Sequence, residues 1–239
     1  MTYGGGAHTV LIPPLTGGAD MCSRFSQREA GAVYANQMGW GQYVGDPGSG
    51  PKYNVSPGTM PMVLHRLSGE PAVSRIFWGY SPRWHEKSPA INARLDTVLR
   101  QSPFWKPVLS RRIVVPVDGW FEWTGEQGVK QPWFIHPKDD RPALLAGMTG
   151  WEPGSDDHPN HGMTIITDDG AGGMVDIHDR RPIALAPDDA NAWVDSGLSV
   201  DDALLLLSTP RPESEFGWWK VSYKISNRNY QSPDATAPI

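Results

Sequence analysis

The sequence predicts an α+β fold dominated by antiparallel strands. Seven short runs after Val63 are rich in aromatic and β-branched residues and bounded by Gly, Pro, Asp or Ser, the signature of pleated strands separated by tight turns. Helical signals are fewer, four in all. The 23 prolines are scattered rather than gathered in a linker, and no internal repeat is present, so one domain is expected. With 239 residues, 39% of them hydrophobic and 20% charged, the chain can bury a real core.

The elements follow in order. Residues 1–20 hold two glycine clusters and only a five-residue apolar stretch, too short and without the basic start of a secretory signal, so they read as a disordered, processed or misassigned extension. The folded unit is expected to begin at Met21 and run to 230. Helical character appears in SQREAGAVYANQMG (26–39), and strands are expected in MVLHRL and AVSRIFWGY between 62 and 80. SPAINARLDTVLRQSPFW (88–105) reads as a second helix. Strand runs resume in RRIVVPV, GWFEWTG, QPWFIHP, ALLAGMTGW and GMTIIT between 111 and 167. APDDANAWVDSG and SVDDALLLLS, each starting at an N-cap signal, close the list of helices. The Pro-containing stretch 231–239 is expected to be a flexible tail.

Charge narrows the function classes. No run of 18 apolar residues offers a membrane span. The net charge of -5 lacks the basic excess of a general polyanion binder, so any nucleic-acid site must be local. Between Arg66 and Arg112, nine basic residues face three acidic ones, and Trp78, Tyr80, Trp84, Phe104 and Trp105 are interleaved with them. That mixture suits a single-stranded nucleic-acid groove, and equally a solvated basic face over core aromatics. One cysteine excludes an internal disulfide and a multi-thiolate zinc site, which makes the cytoplasm the expected compartment. His158 and His161 have ligand-like spacing but no third partner, and no phosphate-loop or nucleophile-elbow pattern occurs, so no metal or cofactor is expected.

Four segments place a reactive or hydrogen-bonding side chain among rigid neighbours: MCSRF with Cys22, PAINARLDT with Asn92 and Arg94, PVDGWFEWTG with Glu122, and MVDIHDRRP with His178. Each is weak alone. Together with YNVSPGTMP (53–61), FWGYSPRW (77–84), KQPWFI (130–135), LAGMTGWEP (145–153) and MTIIT (163–167), they form nine ordered motifs spanning nearly the whole chain from Met21. That series resembles the SOS response-associated peptidase (SRAP) family of abasic-site processing proteins, which attach covalently to DNA that has lost a base. The resemblance implies a mainly antiparallel, barrel-like β-sheet system with flanking helices. It implies that Cys22 is the cross-linking nucleophile, Asn92 positions it, Glu122 is the acid/base and His178 assists at the sugar. Arg24, Asn54 and Arg94 would meet the DNA, and Pro57 and Trp84 would wedge or stack around the lesion. The implied partner is single-stranded DNA with abasic sites, bound by a monomer near the nucleoid.

The chemistry explains these residue types. An abasic deoxyribose reacts only when its ring opens to an aldehyde, which needs one proton delivered to the ring oxygen and one removed from the hydroxyl. In an extended strand Trp120 and Glu122 share a face, so apolar burial would suit Glu122 as a proton donor. His178 would move the second proton near neutral pH. A free N-terminal cysteine combines an amine of pKa about 7.7–8.0 with a thiol of about 8.5. The amine forms a Schiff base and the thiolate closes a thiazolidine ring. An internal cysteine has only a non-nucleophilic amide nitrogen, so Met21 must be lost. In the family the cysteine directly follows the initiating methionine, whereas twenty residues precede Met21 here; a start at Met21 or a cut before Cys22 would expose it. DDGAGG before MVDIHDRRP also departs from the family pattern and leaves that segment glycine-rich. Two rivals stand beside this reading: a cysteine peptidase or autopeptidase pairing Cys22 with His178, with lyase activity a further variant, and a non-covalent single-stranded DNA binder.

Overall fold

The computed structural model describes residues 23–45, 48, 50–125, 130–155 and 161–239. Cys22, the expected extension 1–20 and His158 lie outside the described residues. Strands run in chain order as β1 (Arg24–Gln27), β2 (Lys52–Val55), β3 (Met62–His65), β4 (Ala72–Arg75), β5 (Asn92–Arg94), β6 (Arg112–Val117) and β7 (Gly119–Thr124). They continue as β8 (Gln131–Pro137), β9 (Ala143–Thr149), β10 (Met163–Asp169), β11 (Arg180–Pro182), β12 (Ala184–Leu185) and β13 (Phe216–Lys220). The helices are α1 (Gly31–Gln37), α2 (Leu95–Leu99), α3 (Pro187–Trp193) and α4 (Val200–Leu206). No helix among the described residues is long and apolar enough to cross a membrane.

Hydrogen bonding sorts the strands into a five-stranded sheet, β13-β8-β7-β1-β2, and an eight-stranded sheet with the path β11-β10-β9-β6-β3-β4, to which β12 adds on β9 and β5 on β10. The α+β, sheet-dominated class is as expected, and its barrel-like character consists of two facing sheets, neither closed on itself. Strand β6 shows why they face. Every residue of it is buried, so it reads as a continuous apolar run rather than an alternating one. Ile113, Val115 and Val117 point between the sheets to join Phe25, Trp120 and Ile135, while Val114 points the other way, to Tyr34, Leu144 and Trp193 beneath the helices. Each such side chain contributes about 1.5–3 kcal/mol on burial. A third cluster, Phe121, Phe134, Val221 and Ile225, covers the outer face of the five-stranded sheet.

Three segments depart from expectation. The stretch 88–105 is not one helix: Asn92–Arg94 is a strand running parallel to Ile165–Thr167, and only Leu95–Leu99 coils. Sheet pairing here overrides a helical propensity that is worth only tenths of a kcal/mol per residue. The early helical signal also starts too soon, because Ser26 and Gln27 belong to β1. The stretch 231–239 is not a loose tail. Ala235 is buried, Trp219 Nε1 donates to the Thr236 carbonyl at 2.9 Å, and the Ile239 amide donates to Lys220 O at 3.1 Å. The apolar outer face of the five-stranded sheet needs covering, and this segment covers it.

Gly119 marks the closest approach at the start of β7. A Cβ there would meet Ile135 O at 2.4 Å and Phe134 Cζ at 2.5 Å. Gly119→Ala is therefore expected to lower stability by about 3 kcal/mol. Urea unfolding should show the midpoint falling with an unchanged slope; a midpoint equal to that of the parent chain would refute the close packing of β7 on β8.

Candidate functional site

An open cleft of about 1350 Å³ lies beside β1 and β2. Arg24, Lys52, Asn54 and Pro57 form one side, Arg75, Phe77, Trp78 and Ile91 the other, and Ser226–Gln231 closes an end. Its floor is apolar and fixed. Trp78 packs on Phe25 with ring centroids 4.8 Å apart and donates its Nε1–H to Ile91 O at 3.0 Å. Pro57 reaches the rim on a tight turn: Ser56 O accepts from Thr59 N, and Gly58 at φ +80° follows the proline, as a type II turn requires.

Glu122 lies on the five-stranded sheet and, like Asn92 and His178, is not among the residues that line the cleft. β1 pairs with β7 in the register Arg24↔Phe121 and Phe25↔Trp120. Trp120 belongs to the inter-sheet core and Phe121 to the outer cluster, so alternation turns Glu122 inward, where it is only 2% exposed. The sequence expectation that Trp120 and Glu122 share a face matches this strand. Asn92 enters from the opposite sheet. It pairs with Ile165, an inter-sheet core residue, and therefore faces the same interior, while Ile91 beside it lines the cleft.

The end of β10 gathers further polar groups. Arg94 pairs with Thr167 and Pro182 with Thr167 from the other side, while Arg180 stands opposite Asp169. His178 precedes β11, tied in by its amide donating to Met174 O at 3.0 Å and by the Gly170 amide donating to Asp179 O. Its Nδ1 lies 2.8 Å from Asp179 Oδ1 and accepts the Arg180 amide at 3.2 Å. Burial pushes the imidazole pKa below its ordinary 6.5, Asp179 opposes that, and Arg180 adds to it, so the neutral ring is favoured at neutral pH. Thr167 Oγ1 and Arg180 Nε are buried and have no protein partner among the described residues. Sequence reading passed over both, although Arg180 sits inside the same IHDRRP motif as His178. An unmade buried hydrogen bond costs about 1–3 kcal/mol, and such atoms are marks of a ligand site.

The remaining expected residues divide. Arg24 donates from Nη1 to Asn54 Oδ1 at 3.1 Å and to Ile225 O at 3.0 Å. The Asn54 amide nitrogen donates to Ile225 O and Asn227 O at 3.1 and 3.0 Å, so its polar atoms serve the protein and hold Arg24 in place. Arg94 is exposed and bound to Asp96, Nε to Oδ1 at 3.1 Å. That hydrogen bond is the main reason the Asp96 carboxyl titrates below its ordinary value. Trp84 stands apart from the cleft lining, 62% exposed, with its ring edge-on to His85 and Phe104. The 66–112 segment builds one side of the cleft, through Arg75, Phe77, Trp78 and Ile91, but not with the array of cations that its charge count put forward. Arg112 is buried on the carbonyls of Trp193, Asp195 and Leu198, Trp78, Tyr80 and Trp105 are core, and only Arg75 of its cations lines the cleft. Lys52, Arg228 and Gln231 come from parts of the chain with no charge clustering to announce them.

The glycine-rich 170–173 loop is held from outside. The Glu213 carboxylate accepts the Ala171 amide and lies 3.7 Å from Arg181 Nε, and Gly172, at φ +58°, leaves room that a Cβ would take, 2.8 Å from Glu213 Oε2. Glu213→Ala should release this loop. The Ala171 amide is expected to exchange with solvent at least about tenfold faster, the equivalent of one hydrogen bond to a charged group; unchanged protection would show that the carboxylate does not hold it.

Comparison with known proteins adds four findings. The model of the family described as SOS response associated peptidase (SRAP) matches residues 21–228. The chain is 34% identical over 226 residues to the abasic site processing protein YedK of Escherichia coli K12, covering 92% of this chain and all of that protein. It is 26% identical to the abasic site processing protein YoaM of Bacillus subtilis, covering 90% and 96% of the two chains. A crystal structure of a phage-related protein from Bordetella bronchiseptica superposes with a TM-score of 0.75 at 39% identity, over 84% of this chain and 94% of that one.

Proposed function

Because the chain belongs to the SOS response-associated peptidase family, we propose that it binds single-stranded DNA at abasic sites and joins itself to the opened sugar through Cys22. One observation carries this reading. β1 begins two residues after Cys22 and pairs with β7 at Phe121, next to the inward-facing Glu122. On this reading a mature chain that begins at Cys22 would bring its aminothiol to the buried carboxyl. The relatives named as abasic site processing proteins support the same substrate.

The steps balance without a redox partner. Glu122 protonates the ring oxygen of the closed sugar while His178, neutral at neutral pH, takes the hydroxyl proton, and the aldehyde opens. The Cys22 amine adds to the aldehyde carbon, and the carbinolamine loses water to give a Schiff base. The thiolate then adds to the same carbon, closing the thiazolidine; one water leaves overall. Asn92 orients the reacting groups from the opposite sheet. Arg24, steadied by Asn54, and Arg94 take flanking phosphates, Pro57 at the cleft rim occupies the stack beside the missing base, and the exposed Trp84, apart from the cleft lining, stacks on a base farther along the strand. The amine must be free, so the residues before Cys22 must be removed.

The direct test incubates a chain beginning at Cys22 with an abasic oligonucleotide and resolves it on a denaturing gel. A covalent band is expected, absent in Cys22→Ala and after acetylation of the terminal amine, and formed roughly 10²-fold more slowly by Glu122→Gln. A band that survives acetylation overturns the thiazolidine mechanism and favours a thiol-only, peptidase-like site. The pH profile tests His178. Its base form is lost as pH falls through its depressed pKa, so the rate should drop on the acid side. Asp179→Asn removes the charge that raises this pKa, and the acid limb should move to lower pH; an unmoved limb would take His178 out of the proton path.

A further inference from the structure

The cleft carries cations that no described residue neutralises. Arg24, Lys52, Arg75 and Arg228 line it, and no Asp or Glu among the described residues does. None of the four forms an ion pair among the described residues, whereas Arg28, Arg94, Arg100, Arg111, Arg181 and Arg211 each do. Arg75 donates from Nη1 to Met60 O at 2.9 Å, but its Nη2 is buried with no partner among the described residues. Arg24 is destabilised as a cation first by burial and then by the nearby charge of Arg228. Like charges gathered around one opening repel unless an anion sits between them.

The position of Arg228 is fixed rather than incidental. Asn54 Nδ2 donates to Asn227 O, the Asn229 amide donates to Asn227 Oδ1, and the Tyr230 amide to Asn227 O. Gln231 then locks the segment to β2, its Oε1 accepting the Tyr53 and Asn54 amides at 3.0 and 3.3 Å and its Nε2 donating to Asn54 O at 2.8 Å. A loop held this way leaves the backbone at Arg228 with little entropy to lose, and leaves its exposed side chain free to reach over the cleft. The apolar floor of Met60, Phe77 and Ile91 suits a sugar or base face, and a cationic rim over such a floor suits a phosphodiester chain better than an isolated anion.

We propose that Arg228, with Lys52 and Arg75, holds the backbone phosphates flanking the seated sugar, so that the C-terminal segment clamps the DNA strand. This rests on the single-strand reading above and adds a binding residue to it. The probe is a single-stranded oligonucleotide carrying a tetrahydrofuran abasic analogue, which has no aldehyde and reports non-covalent binding alone. Arg228→Ala should reduce the slope of log K against log salt by about 0.7, the value for one phosphate contact on a single strand, while Arg228→Lys keeps it. Lys138→Ala, which removes an exposed cation outside the cleft, should leave the slope in place. A slope unchanged in Arg228→Ala, or lowered equally in Lys138→Ala, overturns the clamp. Failure of the parent chain to cross-link a true abasic strand would instead overturn the covalent reading while leaving a salt-slope effect of Arg228 standing.

Discussion

The pairing of β1 with β7 is the constraint on which the rest depends, because it fixes where the beginning of the folded unit meets the interior. It is secured by side chains as well as by the ladder. Gln27, 2% exposed, donates to Met62 O and Pro116 O at 2.9 and 2.8 Å and accepts the Met62 amide, so the end of β1 is tied to the eight-stranded sheet. Asp118, at the turn between β6 and β7, accepts the Arg28 amide at 2.6 Å, the Arg28 Nε at 3.2 Å and the Tyr34 hydroxyl at 3.2 Å. Burial, reinforced by Asp118, drives the Tyr34 hydroxyl far above its ordinary pKa and keeps it a donor. A short strand held by so many buried bonds cannot slip register without leaving several polar groups unpaired.

On the proposed reading, the groups that act on the sugar come from facing sheets rather than from one loop. Glu122 comes from the five-stranded sheet and Asn92 from the eight-stranded one, both on faces turned between the sheets. Groups carried on packed strands are held with less freedom than groups on loops, and a two-step capture of an aldehyde gains most from such fixed approach geometry. The exception is His178, which sits after the Gly172–Asp176 turn and relies on Glu213 and Arg181 to steady the loop ahead of it.

How much of this the sequence discloses depends on the range over which each signal acts. Strands β3, β4 and β6–β10 announce themselves because aromatic and β-branched content, with Gly and Pro at the ends, is a local property. The inward aim of Glu122 follows from strand alternation alone. β5 is hidden because its pairing partner, Ile165–Thr167, lies some seventy residues away, while its own residues Asn92–Arg94 run into a helix. The packed chain end is hidden for the same reason: its partners, Trp219 and Asn54, are not neighbours in sequence. Charge counting overstated this segment's cationic share of the groove because it cannot separate Arg112, buried on carbonyls, from Arg75, which lines the cleft.

Arg24, Asn54 and Gln231 connect these points physically. The guanidinium of Arg24 is held by the Asn54 side chain and by Ile225 O, and the Asn54 backbone is held by Gln231, so the first described strand and the last segment of the chain share one hydrogen-bond network. A molecule of net charge -5 cannot rely on long-range attraction to find a polyanion. It has to concentrate cations where the strand is to lie, and unpaired cations repel, which favours opening the cleft. The side-chain amides of Asn54, which is buried, and of Gln231 oppose that opening at no cost in charge, since each donates and accepts within the protein. This explains why asparagine and glutamine, rather than acidic residues, brace the cationic wall: a carboxylate there would steady Arg24 equally well but would neutralise the field that the phosphates must meet.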